Sequence, residues 1–178
     1  EKNPSEALGY ADRLLKMNAE RGWAQVERGR ALMQLNRKEE AISALVEATT
    51  LLPAEIDPVR YLGDLYESTG QYNNALEQYE KILKKSESDV DIYIQAALLA
   101  QKAGDTKKAL SLLYSIESRF SNHGALQRQI GLLELATGDS TKAKTHLEAG
   151  LRSGAEDAKV LTELGKLYIR NKDYDKAF

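Results

Sequence analysis

Cysteine is missing altogether from the 178 residues, which removes disulfides, thiolate zinc sites and cysteine nucleophiles from consideration. Histidine is almost missing: His123 and His146 stand far apart, in no metal-binding spacing and with no third ligand supplied nearby. No metal and no cofactor are expected. Long apolar runs are lacking too, the longest being about Ala96 to Ala100, against the roughly 20 residues that a membrane span needs. Neither sign of charge prevails, with Lys+Arg 25 against Asp+Glu 27, so there is no basic footprint for nucleic acid. The Asn3-Pro4-Ser5 tripeptide is closed to glycosylation by its proline. No signal peptide opens the chain, and Glu1 reads as an internal boundary of a longer protein, which leaves the compartment open. No phosphate loop, nucleophile elbow or dinucleotide fingerprint occurs. The acidic pairs Glu39/Glu40, Glu87/Asp89 and Glu156/Asp157 fall at turns and helix starts, where they complement helix dipoles. No enzyme is expected from these residues.

What the chain does have is a period. Alanine recurs every 34 residues, at Ala7, Ala41, Ala75, Ala109, Ala143 and Ala177. A second small residue stands twelve places before the last five of these, as Gly29, Gly63, Ala97, Gly131 and Gly165. A third series, Asn36, Gly70, Gly104 and Gly138, marks the gap between them. A fixed period of this size means stacked units, each burying its apolar face only against its neighbours.

Each period reads as two amphipathic helices and a turn. Asp57 is a natural N-cap with Pro58 behind it, and Val59, Leu62, Leu65 and Tyr66 follow at helical spacing until Gly70. A second helix from about Tyr72 to Lys84 places Ala75, Leu76, Tyr79, Ile82 and Leu83 on one face. The same pattern predicts helices over 92–103, 106–118, 125–137 and 140–152. Glycine inside a helix costs roughly 1 kcal/mol relative to alanine, so its return at Gly29, Gly63, Gly131 and Gly165 points to close helix crossings, with Gly63 against Ala75. The fourth period is expected to be the soft one: Gly150 and Gly154 weaken its second helix and Glu134 takes a normally apolar position.

With this period and these small residues the chain resembles the tetratricopeptide repeat (TPR) family. The resemblance covers the whole chain, although the closing proline survives only as Pro53 and the position of the large aromatic near the first helix start is only weakly kept, being held by Val59, Tyr93, Gln127 and Leu161. It implies an all-α fold, a right-handed superhelical solenoid of antiparallel helix pairs. The register divides the chain into full repeats over 22–55, 56–89, 90–123 and 124–157, flanked by a second helix over 1–21 and a truncated repeat over 158–178. These flanking pieces read as parts of a longer TPR protein, with exposed apolar faces around Leu8 and Leu15 at one end and Leu164 and Leu167 at the other.

The resemblance also implies that the first helix of each repeat lines a concave wall. Helical spacing then selects Trp23, Val26, Arg30 and Met33, followed by Asp57, Arg60, Asp64 and Glu67. It continues through Asp91, Ile94, Leu98 and Gln101, then Ala125, Arg128, Leu132 and Leu135, and ends at Lys159, Thr162, Lys166 and Ile169. An apolar stretch of Ile94, Leu98, Leu132 and Leu135 bordered by charge suits a peptide or amphipathic helix of another protein. The alternative at this point is that Leu98 and Leu132 only pack against each other. Asparagines used by TPR carboxylate clamps are absent, their place being taken by Arg30, Asp64, Leu98, Leu132 and Lys166. The asparagine ladder of glycosyltransferase-associated repeats is replaced by Glu27, Tyr61, Gln95, Gln129 and Glu163. A protein-binding scaffold is the expected function, with a self-associating structural spacer as the alternative. His146 is expected to face outward and His123 to lie in a loop.

Overall fold

The computed structural model describes residues 3–86, 88–154 and 157–173, which form α-helices and turns without a strand. The chain divides into two compact units, Glu1–Glu87 and Ser88–Phe178. The first holds α1 (Pro4–Lys16), α2 (Arg21–Gln34), α3 (Lys38–Leu51), α4 (Asp57–Ser68) and α5 (Tyr72–Leu83). The second holds α6 (Val90–Lys102), α7 (Thr106–Glu117), α8 (Gly124–Thr137), α9 (Ser140–Arg152) and α10 (Ala158–Arg170). In the first unit α2 packs on α3 and α4 on α5, while α1 backs onto α2 and α3 onto α4. The second unit repeats this plan, α6 with α7 and α8 with α9, joined by α7 to α8 and α9 to α10.

Helix starts differ between the units. All five helices of the second unit carry a side-chain cap. Asp89, Asp105, His123, Asp139 and Asp157 each accept a hydrogen bond from a backbone amide in the first turn. In the first unit Asn3 does this for α1, and α2 to α5 begin without such a bond. Asp57, expected as a cap, lies one position inside α4, where its charge still favours the positive end of the helix dipole. Between helices the chain turns through a left-handed residue at a constant register: Asn36 (φ 57°), Gly70 (73°), Gly104 (89°), Gly138 (88°) and Lys172 (60°). A left-handed residue with a Cβ is strained, which is why glycine holds three of these five places.

The alanine series marks the inside of the helix pairs. Ala41, Ala75, Ala109 and Ala143 are all fully buried, and Ala177 lies outside the described residues. At Gly29, Gly63 and Gly131 the side chain met first is not that of this alanine but the large one a turn further along. A Cβ on Gly29 would lie 2.6 Å from Leu45 Cγ, one on Gly63 2.9 Å from the Tyr79 ring, and one on Gly131 2.7 Å from Leu147 Cγ. The expected pairing of Gly63 with Ala75 is thus corrected: the glycine makes room for Tyr79 and the alanine lets the two backbones approach. The apolar cores follow, with Leu32, Leu45, Leu62 and Leu65 clustered in the first unit and Leu147, Val160, Leu164 and Leu167 in the second.

Two expectations about weak or exposed places are overturned. Leu164 and Leu167 are only 3% exposed because they face α9, and the apolar side chains that α10 leaves outside are Leu161 and Ile169. Leu8 and Leu15 are half-buried, and the large apolar residues left exposed are Tyr10 and Leu14 of α1 and Met17 just past its end. Gly150 is no defect either. It is buried where α9 meets the start of α8, and a Cβ there would stand 3.1 Å from the Arg128 backbone nitrogen and 3.3 Å from the Gly124 carbonyl oxygen. Backbone cannot swing aside as a leucine can. Gly150→Ala, which would gain about 1 kcal/mol in a free helix, is therefore expected to lose about 1–3 kcal/mol here by overpacking, read from urea unfolding.

Candidate functional site

Within the second unit, first helices build a cleft of about 370 Å³. Leu98 and Gln101 come from α6, Gln129, Leu132, Leu135 and Ala136 from α8, and Lys159 and Glu163 from α10. Spacings of three and four along α8 bring Gln129, Leu132, Leu135 and Ala136 to one side of that helix. Leu98, Leu132 and Leu135 are half-buried, with Leu132 and Leu135 braced from behind by the Leu147–Val160–Leu164–Leu167 cluster. The apolar floor is therefore fixed in place while part of it faces solvent. One wall is charged: Glu163 accepts from Lys166 Nζ at 2.7 Å, and Lys159 stands one helical turn before Glu163.

Gln129 is the polar group set into this floor. It is only 6% exposed, yet no hydrogen bond holds its side-chain amide among the described residues. Its amide atoms are not sealed from solvent, so a polar group arriving in the cleft would take the place of water as their partner. Its residue type gives no hint of this; the signal is its helical register, three residues before Leu132 on the same face.

The sequence-derived wall residues fall into three groups. Leu98, Leu132 and Leu135 line the cleft, along with Gln101 and Lys159. Thr162 and Lys166 are exposed on α10, Thr162 bonding back to the Ala158 carbonyl. Ile94 is half-buried, and Arg128 is held by Asp157 through Nη1 at 2.7 Å with its Nε buried and unpaired. In the first unit Arg60 is exposed, and Arg30 bonds Glu27 at 2.8 Å while stacking 5.3 Å above the Tyr61 ring. Three residues have internal duties instead. Val26 is 1% exposed and belongs to the core, Met33 packs on the Leu32 cluster, and Asp64 accepts the Tyr79 hydroxyl. Burial and the carboxylate of Asp64 both push the Tyr79 hydroxyl well above its ordinary range, so it stays a donor.

The first unit has a depression of its own, about 440 Å³, between α1 and α2. Ala7, Tyr10, Ala11 and Leu14 line it with Glu27 opposite, and Tyr10 is 64% exposed. No residue of the sequence-derived set apart from the ladder position Glu27 falls there.

Of the two histidines, His123 lies in the expected loop and His146 does not face outward as expected. His123 Nδ1 accepts from the Leu126 amide at 3.3 Å, which makes it the N-cap of α8. His146 is turned inward, its ring nitrogens against Glu134 at 2.6 Å and Glu117 at 2.9 Å. Among the described residues no group of three or more His, Asp or Glu side chains is arranged to hold a metal. No described helix is long and apolar enough to cross a membrane.

Comparison with known proteins decides the family. Models described as tetratricopeptide repeat match residues 2–56 and 128–178, and a further one matches residues 62–87. The chain belongs to the tetratricopeptide repeat family. Over 83 residues it is 37% identical to the TPR repeat-containing protein MJ0940 of Methanocaldococcus jannaschii, an alignment that covers 46% of this chain and 25% of that protein. The chain thus spans about a quarter of the curated relative's length. Among solved structures, MamA from Desulfovibrio magneticus RS-1 superposes with TM-score 0.73 at 18% identity, covering 89% of this chain and 90% of MamA. YrrB, described as a TPR protein with an unusual peptide-binding site, superposes with TM-score 0.71 at 19% identity over 94% of this chain and 87% of its own. These likenesses establish the TPR solenoid fold, and the family is one of protein–protein interaction modules.

In TPR terms the cleft is a wall of first helices, and α10 joins that wall through Asp157. One oxygen of this carboxylate accepts the Val160 amide at 2.8 Å and the other binds Arg128 of α8. Those backbone and guanidinium bonds hold its carboxyl below the usual range. Such a group stabilises the fold fully above its unfolded pKa, and the contribution is lost as pH falls through the lower folded value. Asp157→Ala is expected to cost about 1 kcal/mol or somewhat more through the lost cap. Asp157→Asn should keep the cap and remove that group's share of the acid sensitivity, measured as urea midpoints between neutral pH and about pH 3.

Proposed function

We propose that this TPR chain is a non-catalytic scaffold that holds an extended segment of another protein in the cleft between α6, α8 and α10. The carrying observation is the cleft floor: Leu98, Leu132 and Leu135 beside Gln129, whose amide makes no side-chain hydrogen bond among the described residues and is open to an occupant. A helix satisfies its own main-chain groups, whereas an extended segment offers free N–H and C=O groups to an amide. The occupant would present an apolar side chain to the leucine floor and its backbone to Gln129. Lys159 and Glu163 on the α10 wall would then select for polar or charged neighbours of that side chain. The peptide-binding site named for YrrB supports a peptide reading by analogy of fold.

The second reading is a self-associating spacer that uses the outer surface. Val46 and Leu51 favour it, both being large apolar residues of α3 that are more than two-fifths exposed. Peptides selected on the wild-type chain from a random displayed library separate the two. Their affinity for Leu98→Asp/Leu132→Asp is expected to fall at least about tenfold, which corresponds to about 1.4 kcal/mol. Gln129→Leu, which removes the amide and keeps the bulk, should weaken the same peptides by a comparable factor. Affinity unchanged in both variants, with self-association intact by sedimentation, would move the function to the outer face.

A further inference from the structure

A second polar cluster lies in the same unit, away from the cleft residues. Glu134 of α8 is 1% exposed, and its two carboxylate oxygens are both engaged. One accepts the Tyr114 hydroxyl of α7 at 2.6 Å, and the other meets His146 Nδ1 of α9 at 2.6 Å. The far ring nitrogen, His146 Nε2, meets Glu117 Oε1 of α7 at 2.9 Å. The His146 side chain is 15% exposed, and the Tyr114 ring lies 6.4 Å from it, centroid to centroid. The neighbouring charges are Asp139 at the start of α9, paired with Lys142 at 3.0 Å. From the α10 side, Tyr168 donates to Glu148 and Asp173 pairs with Lys144, both partners being on α9.

Counting protons in this cluster leads to a requirement. A neutral imidazole has one N–H and can serve one of two carboxylates; its other nitrogen then turns a lone pair toward a carboxylate oxygen. Both contacts are favourable only if the cluster holds one further proton, on the ring or on Glu134, shared as a coupled system. Tyr114 cannot supply it, since burial and its bond to Glu134 push that hydroxyl well above its ordinary range.

We propose that Glu117, Glu134 and His146, with Tyr114, form a proton-operated clasp that ties α7, α8 and α9 together and loosens as pH rises. The clasp's contribution is present while the shared proton is held between the imidazole and the two carboxylates and is lost as rising pH removes it. Wherever the folded chain holds this one proton more than the unfolded chain, the unfolding equilibrium constant grows up to tenfold per pH unit.

The test uses the full chain carrying His123→Asn, which keeps a cap and removes the second histidine. Urea unfolding is followed from about pH 6 to pH 9, with and without Glu134→Leu/His146→Leu. The clasp predicts a stability that falls with pH in the first protein and a flat profile in the second. Should the leucine pair fail to fold, His146→Gln, an uncharged donor and acceptor, replaces it and must also flatten the profile. Equal slopes in parent and variant, or no slope in the parent, overturn the proposal.

Discussion

Everything in this chain depends on how closely two helices of a pair can approach. Gly29, Gly63 and Gly131 leave no room for a methyl because Leu45, Tyr79 and Leu147 already fill it. The fully buried alanines of the second helices keep the opposite side of each crossing equally thin. Dispersion attraction falls off steeply with small gaps, so a thin crossing is what lets short helices of 12 to 14 residues hold together. Helices this short are marginal in water by themselves. Packing against the neighbour, not intrinsic propensity, maintains them.

The two units meet this constraint with different chemistry. The first relies on apolar contact: α2 to α5 start without side-chain caps, and Leu32, Leu45, Leu62 and Leu65 form its centre. The second is more polar inside. Every one of its helices is capped, Asp157 joins α10 to α8, and Glu134 is buried among Tyr114 and His146. A buried carboxylate is costly unless each oxygen is bonded, and here both are. Charge pairs of this kind constrain orientation, because a bond at 2.6 Å tolerates far less rotation than a leucine contact does.

The period made the fold legible, since glycine and alanine at one spacing have a steric meaning that does not depend on the rest of the chain. The 34-residue step foresaw the helix pairs, and the glycine series foresaw the left-handed turns at Gly70, Gly104 and Gly138. Which side chain a glycine accommodates was less legible, because helix crossing geometry decides between Ala75 and Tyr79. Single polar residues were the least legible. Gln129 and Glu134 stand five positions apart on α8, both buried; one is unpaired beside a cleft and the other is bonded at both oxygens. That difference is set by groups on α7 and α9, more than ten residues away in sequence, and helical periodicity has no access to it.

This contrast on α8 also explains why the cleft and the clasp can coexist. Residues 129, 132, 135 and 136 lie on one side of the helix, and Glu134 points between α7 and α9 on another. Leu132 and Leu135 are thereby fixed from two directions, by the Leu147 cluster behind them and by a helix whose rotation the Glu134 bonds restrain. A binding floor gains from such restraint, since side chains already ordered lose little entropy when a partner arrives. The position that breaks the apolar pattern of the fourth repeat therefore restrains the helix whose other side lines the cleft.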